Sequence, residues 1–200
     1  MKKILLTSAG AGTAFSYATA IAKNFPNLEL FTADINAAEL VTASLFSKKH
    51  FTLPLLTDES YESKLNEIIE LEEIDFYLPI IDIEIKLAHQ SDFLSSKLVA
   101  NNNYFCSACI EKDNYHSWAS GLEIKTPKLL NLEELKHDDI VVLKRNGGFG
   151  GKETEIVKVE NISKFNLSGF SLSEFIKGDE FTIDCFPLES EVITTVRKRI

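Results

Sequence analysis

Residues 141–159 read VVLKRNGGFGGKETEIVKV: an apolar strand, six residues with four glycines, and a second strand. A plain hairpin needs two central residues, and Asn146-Gly147 alone would supply a type I′ turn. Here the turn runs on through Gly148, Phe149, Gly150 and Gly151, between Lys144 and Lys152. Consecutive glycines reach backbone angles at which successive N–H groups converge on phosphate oxygens. A lysine at the end of the preceding strand adds a point charge for the same anion. The bland alternative is a hairpin tip with solvated lysines.

The bulk composition makes this loop a local feature. The 200 residues carry a net charge of −9, with 44% hydrophobic and 26% charged residues. That balance argues against a nucleic-acid backbone or an anionic membrane as partner. The opening MKKILL has too short an apolar run for a signal peptide, and no stretch approaches the roughly 18 apolar residues of a membrane span. Three cysteines, two of them spaced as Cys106-Ser107-Ala108-Cys109, make no disulfide framework. The expectation is a reduced, cytoplasmic protein.

The first half alternates strand and helix. Lys3–Thr7 is a short apolar strand, followed by Ser8-Ala9-Gly10-Ala11-Gly12 and a helical pattern through Ala22. Leu28–Ala33 predicts a strand ending at Asp34, Ala37–Ser47 a helix, and His50–Pro54 a short strand. Tyr61, Leu65, Ile68 and Ile69 recur at helical spacing and predict a helix over 60–72. Ile74–Ile81 reads as a buried strand, Glu84–Leu94 as a helix and Lys97–Ala100 as a strand. This rhythm implies a Rossmann-like parallel sheet over 1–105. Over 106–200 it changes to α+β. A helix spans Glu111–Gly121, and strands fall near 140–145, 155–159, 171–176, 180–186 and 191–200. Helical turns are expected at 133–137 and 161–166.

Three further stretches surround the glycine loop in a fixed order. They are Ile110-Glu111-Lys112-Asp113, then Gly121-Leu122-Glu123-Ile124-Lys125-Thr126-Pro127-Lys128, and Ser173-Glu174-Phe175-Ile176-Lys177-Gly178-Asp179-Glu180. This ordered set resembles the ATP-grasp superfamily, in particular the large chain of carbamoyl-phosphate synthase. The first hundred residues resemble that family's pre-ATP-grasp domain through KKILLTSAGAG, Thr32-Ala33-Asp34 and Leu78-Pro79-Ile80-Ile81-Asp82-Ile83-Glu84.

The resemblance implies a role for each motif. Gly147, Gly148, Gly150 and Gly151 would form the lid over a triphosphate, and Lys112 and Lys144 would contact ATP phosphates. Glu174 and Ile176 would meet the adenine, and Glu180 would accept from the ribose hydroxyls. The family activates a small carboxylate as an acyl phosphate for attack by an amine or similar nucleophile, with Mg²⁺ between the phosphates. Its metal ligands, including a Glu-x-Asn pair, lie beyond the part matching Thr194–Ile200, and no Glu-x-Asn follows residue 180 here. The expectation is an ATP-binding portion that does not complete the reaction alone and associates with itself or with a partner chain supplying the missing lobe. No catalytic residue and no metal ligand is assigned within it.

Two other readings stay open. A non-catalytic nucleotide-binding or assembly module would carry the same motifs. An NAD-dependent oxidoreductase would explain Gly10-x-Gly12 after a strand and Asp34 at the end of the next, although Phe15 stands where the dinucleotide fingerprint has its third small residue. Asp82 and Glu84 at a strand end could act as paired acid and base or simply favour a helix N-terminus. His50, His89, His116 and His137 show no metal spacing.

Overall fold

Apolar runs in the first half build strands that are covered on both faces, which is what a parallel sheet requires. The computed structural model describes residues 1–110, 112–146 and 154–199, all with side chains except 112, 113 and 187. The first unit, Met1–Tyr115, holds β1 (Lys2–Leu6), β2 (Leu28–Asp34), β3 (Lys49–Thr52) and β4 (Phe76–Leu78) in the order β3-β2-β1-β4. All three pairings are parallel. Leu5, Phe31 and Tyr77 face α2 (Tyr61–Leu71), whose Tyr61, Leu65, Ile68 and Ile69 are buried against them. Ile4, Leu6 and Leu30 face α1 (Gly12–Asn24) through Ala14, Ala18 and Ile21. Each large aliphatic side chain buried this way contributes about 2 kcal/mol.

Local differences from the sequence reading have packing causes. The expected helix at 37–47 is two 3-10 turns, Ala38–Leu40 and Thr42–Phe46, parted by an extended Val41. Val41 is buried in the core beside α1, and seating it there breaks the helical run. The expected helix at 84–94 starts earlier, as α3 (Asp82–Gln90), and breaks at Ser91, whose side chain caps α4 (Asp92–Ser95). Lys97–Ala100 makes only a single bridge, Leu98 to Tyr77. Helix α5 (Asn103–Ile110) was not foreseen; it contacts α3 and buries Cys106 and Ala108. Two compact units meet within α6 (Lys112–Gly121), between Tyr115 and His116.

The second unit, His116–Ile200, is antiparallel. Strand β5 (Ile140–Arg145) lies between β6 (Thr154–Lys158) and β7 (Phe170–Glu174). Val141, Leu143 and Ile162 centre its core. The helices expected at 133–137 and 161–166 are 3-10 turns, Leu132–Glu134 and Val159–Lys164. Strands β8 (Phe181–Pro187) and β9 (Val192–Lys198) pair with each other as a two-stranded ribbon. Among the described residues no helix is long and apolar enough to cross a membrane.

Candidate functional site

Strand pleating decides where the expected nucleotide residues point. Antiparallel partners share a face of the sheet. Leu143 pairs with Leu172 on the core side, so Lys144, paired with Thr154 and Ser171, projects from the opposite face. The Lys144 side chain is half-buried and makes no ion pair or side-chain hydrogen bond among the described residues. A lysine seldom gives up part of its hydration without a partner.

The other expected residues are spread along the chain. Glu174 pairs with Val141, so it leaves the sheet on the face opposite to Lys144, and its carboxylate accepts from the Lys128 N–H at 2.9 Å. Ile176, two residues past β7, is 63% exposed. Glu180 precedes β8 and pairs with Arg199 at 2.9 Å, both largely exposed. Lys112 begins α6, and its side chain is outside the described set, as are Gly147, Gly148, Gly150 and Gly151. The structure thus sets Lys144 and Glu174 on neighbouring strands without sharing a face, and Glu180 just before the ribbon.

A polar cluster that the sequence reading did not assemble lies in the first unit. The chain goes from β1 to β2 and β3 on one side, then returns to β4 on the other, so the topological switch lies between β1 and β4. Open α/β sheets bind ligands at that point, beyond the carboxyl ends of the strands. Here the ends of β1, β2 and β4 surround a cleft of about 340 Å³ whose polar lining includes Ser8, Gly10, Asp34, Tyr61 and Glu84. Glu84, only 2% exposed, accepts from Thr7 Oγ1 and Ser8 Oγ at 3.0 Å each through one oxygen, and from the Tyr61 hydroxyl through the other. Ser8 sits at φ 49°, a left-handed conformation costly for a residue with a side chain. Its bond to Glu84 helps hold it there.

Burial sets the electrostatics of this cluster. It lifts the Glu84 carboxyl above the ordinary carboxylate range, while the Tyr61, Ser8 and Thr7 hydroxyls pull it back. Burial, reinforced by the Glu84 charge, also pushes the Tyr61 and Tyr77 phenols far up, so both stay protonated. The fully buried Tyr77 hydroxyl makes no hydrogen bond. Asp82 and Glu84, read together in the sequence, part company: Asp82 is an exposed acid in the first turn of α3, whereas Glu84 is inside. Tyr61 and Thr7 carried only core signals in the sequence, and their hydroxyls were the missed clue.

The dinucleotide features are also accounted for. Asp34 accepts from Gly10 N at 2.8 Å, and its other oxygen accepts from the N–H and the side-chain amide of Asn36. Its acceptors are therefore taken up by the turn itself. The close helix–sheet contact is made by Ala14 and Ala18, while Phe15 turns outward and meets Phe46 edge-on. Partial burial and the nearby Asp82 carboxylate push the thiols of Cys106 and Cys109 up, with Cys109 also acting on Cys106.

No protein-family model and no curated protein matches the sequence. Solved structures match it well. N5-carboxyaminoimidazole ribonucleotide synthetase from Thermotoga maritima superposes with a TM-score of 0.74 at 14% identity, over 100% of this chain and 54% of that one. L-amino acid ligase from Bacillus licheniformis gives 0.70 at 15% identity, over 99% and 50%. The biotin carboxylase domain of 2-oxoglutarate carboxylase from Hydrogenobacter thermophilus, solved with MgADP, ADP and bicarbonate, gives 0.70 at 13%, over 98% and 50%. The chain spans about half the length of these structures. At such identities the likeness is one of fold.

Proposed function

We propose that this chain, which has the fold of the amino-terminal half of the ATP-grasp enzymes, is the ATP-binding portion of a ligase. The reaction is activation of a small carboxylate as an acyl phosphate, followed by attack of an amine or a similar nucleophile. The observation that carries the reading is Lys144: a half-buried ammonium without an anionic partner among the described residues, three positions before the first of four glycines. Such a cation is suited to a phosphate, and the glycine run can turn its backbone N–H groups to the same oxygens. The sequence motifs also resemble those of the carbamoyl-phosphate synthase large chain.

By the sequence motifs, Lys112 is a second phosphate cation, and the backbone at Ile176 offers an edge to the adenine. Glu174 lends its carboxylate to Lys128 and positions that edge. Glu180 binds the ribose after releasing Arg199; an exposed ion pair is worth only about 0–1 kcal/mol, so the exchange costs little. Bound with ATP, Mg²⁺ neutralises charge between the phosphates. No group of three or more His, Cys, Asp or Glu among the described residues is placed to hold it. In this reading its ligands come from other residues, in the same or a partner chain.

Titration calorimetry of ATP–Mg²⁺ against the chain and a Lys144→Ala variant tests the reading. The expected result is binding that weakens at least about tenfold in the variant, near 1.4 kcal/mol. Binding of NAD⁺ but not ATP would replace this reading with the oxidoreductase one.

A further inference from the structure

Strands β8 and β9 form a ribbon that no other described strand joins, and its described side chains are all exposed. A two-stranded ribbon on its own is marginal in water, and its outer edges carry unpaired N–H and C=O groups. The Arg199 N–H donates to the Glu180 carbonyl, and the Leu188 N–H to the Glu191 carbonyl. Bonding direction alternates along an antiparallel strand, so the odd-numbered residues of β9 bond toward β8. Val192, Thr194, Val196 and Lys198 therefore turn their backbone groups to the open edge. On the outer edge of β8 one of the corresponding positions is Pro187, which has no N–H to give. The β9 edge has no such block, since VITTVRK holds neither proline nor glycine.

That open edge is complementary to itself. Laid antiparallel to a second β9 about a two-fold axis at Thr195, all seven residues of Val192–Lys198 find a partner. The outward-bonding residues then meet one another, Thr194 with Val196 and Val192 with Lys198, as the backbone requires. Thr195 faces Thr195 across the axis, a pairing that favours adjoining strands. Just beyond the strand, Glu191 of each copy comes opposite Arg199 of the other. Glu191 has no ion-pair partner among the described residues, and Arg199 keeps donors to spare beside Glu180. No like charges stand opposite each other. A shift of one residue sets outward groups against inward-bonded ones, and a shift of two leaves the end of each strand unpaired. We propose that the β9 edge is a homodimer interface, where a second copy of this chain extends the ribbon to four antiparallel strands.

Sedimentation velocity on the nucleotide-free chain, from about 5 to about 500 μM, tests this. A single strand edge buries less than a standard interface, so the expected Kd is on the order of 10–100 μM. Thr195→Lys sets two ammonium groups against each other on the axis, and Glu191→Arg makes both end pairs repulsive. Each should weaken the dimer at least about fivefold while the circular dichroism spectrum stays unchanged. Disulfide trapping reads the register. With Cys106, Cys109 and Cys185 replaced by alanine, Thr195→Cys should cross-link on mild oxidation, because facing Cα atoms on such an axis lie about 4.5 Å apart. Ile193→Cys should not, since its two copies are offset along the strands by about 13 Å. The proposal is overturned if the chain stays monomeric at about 500 μM, if both charge variants dimerise like the wild type, or if Ile193→Cys cross-links as readily. No nucleotide enters these measurements, so their outcomes are separate from the ATP titration of Lys144→Ala.

Discussion

Tyr61 donates its hydroxyl hydrogen to Glu84, and that bond joins the first residue of α2 to the first turn of α3. The two helices are separated by β4, and their N-termini meet over the same end of the sheet. Both partners are buried, Tyr61 at 4% and Glu84 at 2% exposed, so the bond has no solvent substitute. Tyr61→Phe keeps the ring and removes only the hydroxyl. It leaves a buried carboxylate short of one donor and should cost about 1–3 kcal/mol in urea unfolding. An unchanged midpoint would mean that water reaches Glu84 freely.

The raised Glu84 carboxyl makes a pH prediction with a definite sign. Its proton is held more tightly in the folded than in the unfolded chain, because burial penalises the charged form. The group's contribution is therefore most favourable below the ordinary glutamate pKa. It falls as pH rises from there through the raised folded value. Glu84→Gln has no proton to lose, so its urea midpoint should decline less across that window than the wild-type midpoint. Parallel curves would exclude Glu84 as the source of the slope.

Gly10 and Gly12 are two residues apart yet should respond oppositely to alanine. A Cβ on Gly10 would stand 3.1 and 3.3 Å from the Asp34 carboxylate oxygens, and Asp34 is fixed by its bonds to Gly10 and Asn36. Gly10→Ala should destabilise by about 1 kcal/mol or more. Gly12 begins α1 with open space around the missing Cβ, so Gly12→Ala should be neutral or stabilising by up to about 1 kcal/mol. Matching urea curves for the two variants would refute this contrast.

Lys144 should be dispensable for folding. Its ammonium has no partner among the described residues, so Lys144→Met should change unfolding stability by no more than about 0.5 kcal/mol. A larger loss would assign the ammonium a structural role and weaken the case for a phosphate cation. This measurement uses no ligand and complements the calorimetry.

The parallel sheet was legible because apolar runs of strand length alternate with helical periodicity over the first hundred residues. The α2 core face could be read residue by residue from Tyr61, Leu65, Ile68 and Ile69. Val41 was not legible as a helix breaker, since only packing beside α1 gives it a reason to turn inward. The Glu84 cluster was hidden for a similar reason: Thr7, Ser8, Tyr61 and Glu84 come from three separate stretches, and only the parallel crossovers bring them together. The alternation of residues along β5 was visible from sequence, but which face Glu174 shares depended on the register with β7.

The central place of β1 also governs the order in which the first unit can assemble during synthesis. It is translated before both of its neighbours, and β4 follows only after α1, β2, β3 and α2 have been made. One edge of β1 can pair early with β2, whereas the other waits for a distant strand, and closing so long a loop is slow. Until then Leu5 and Leu6 lie beside an open edge of the nascent sheet, a stretch in which chaperones would find their target. The last pairing also delivers Glu84 to Thr7 and Ser8, so completion of the sheet and completion of the cleft are one event.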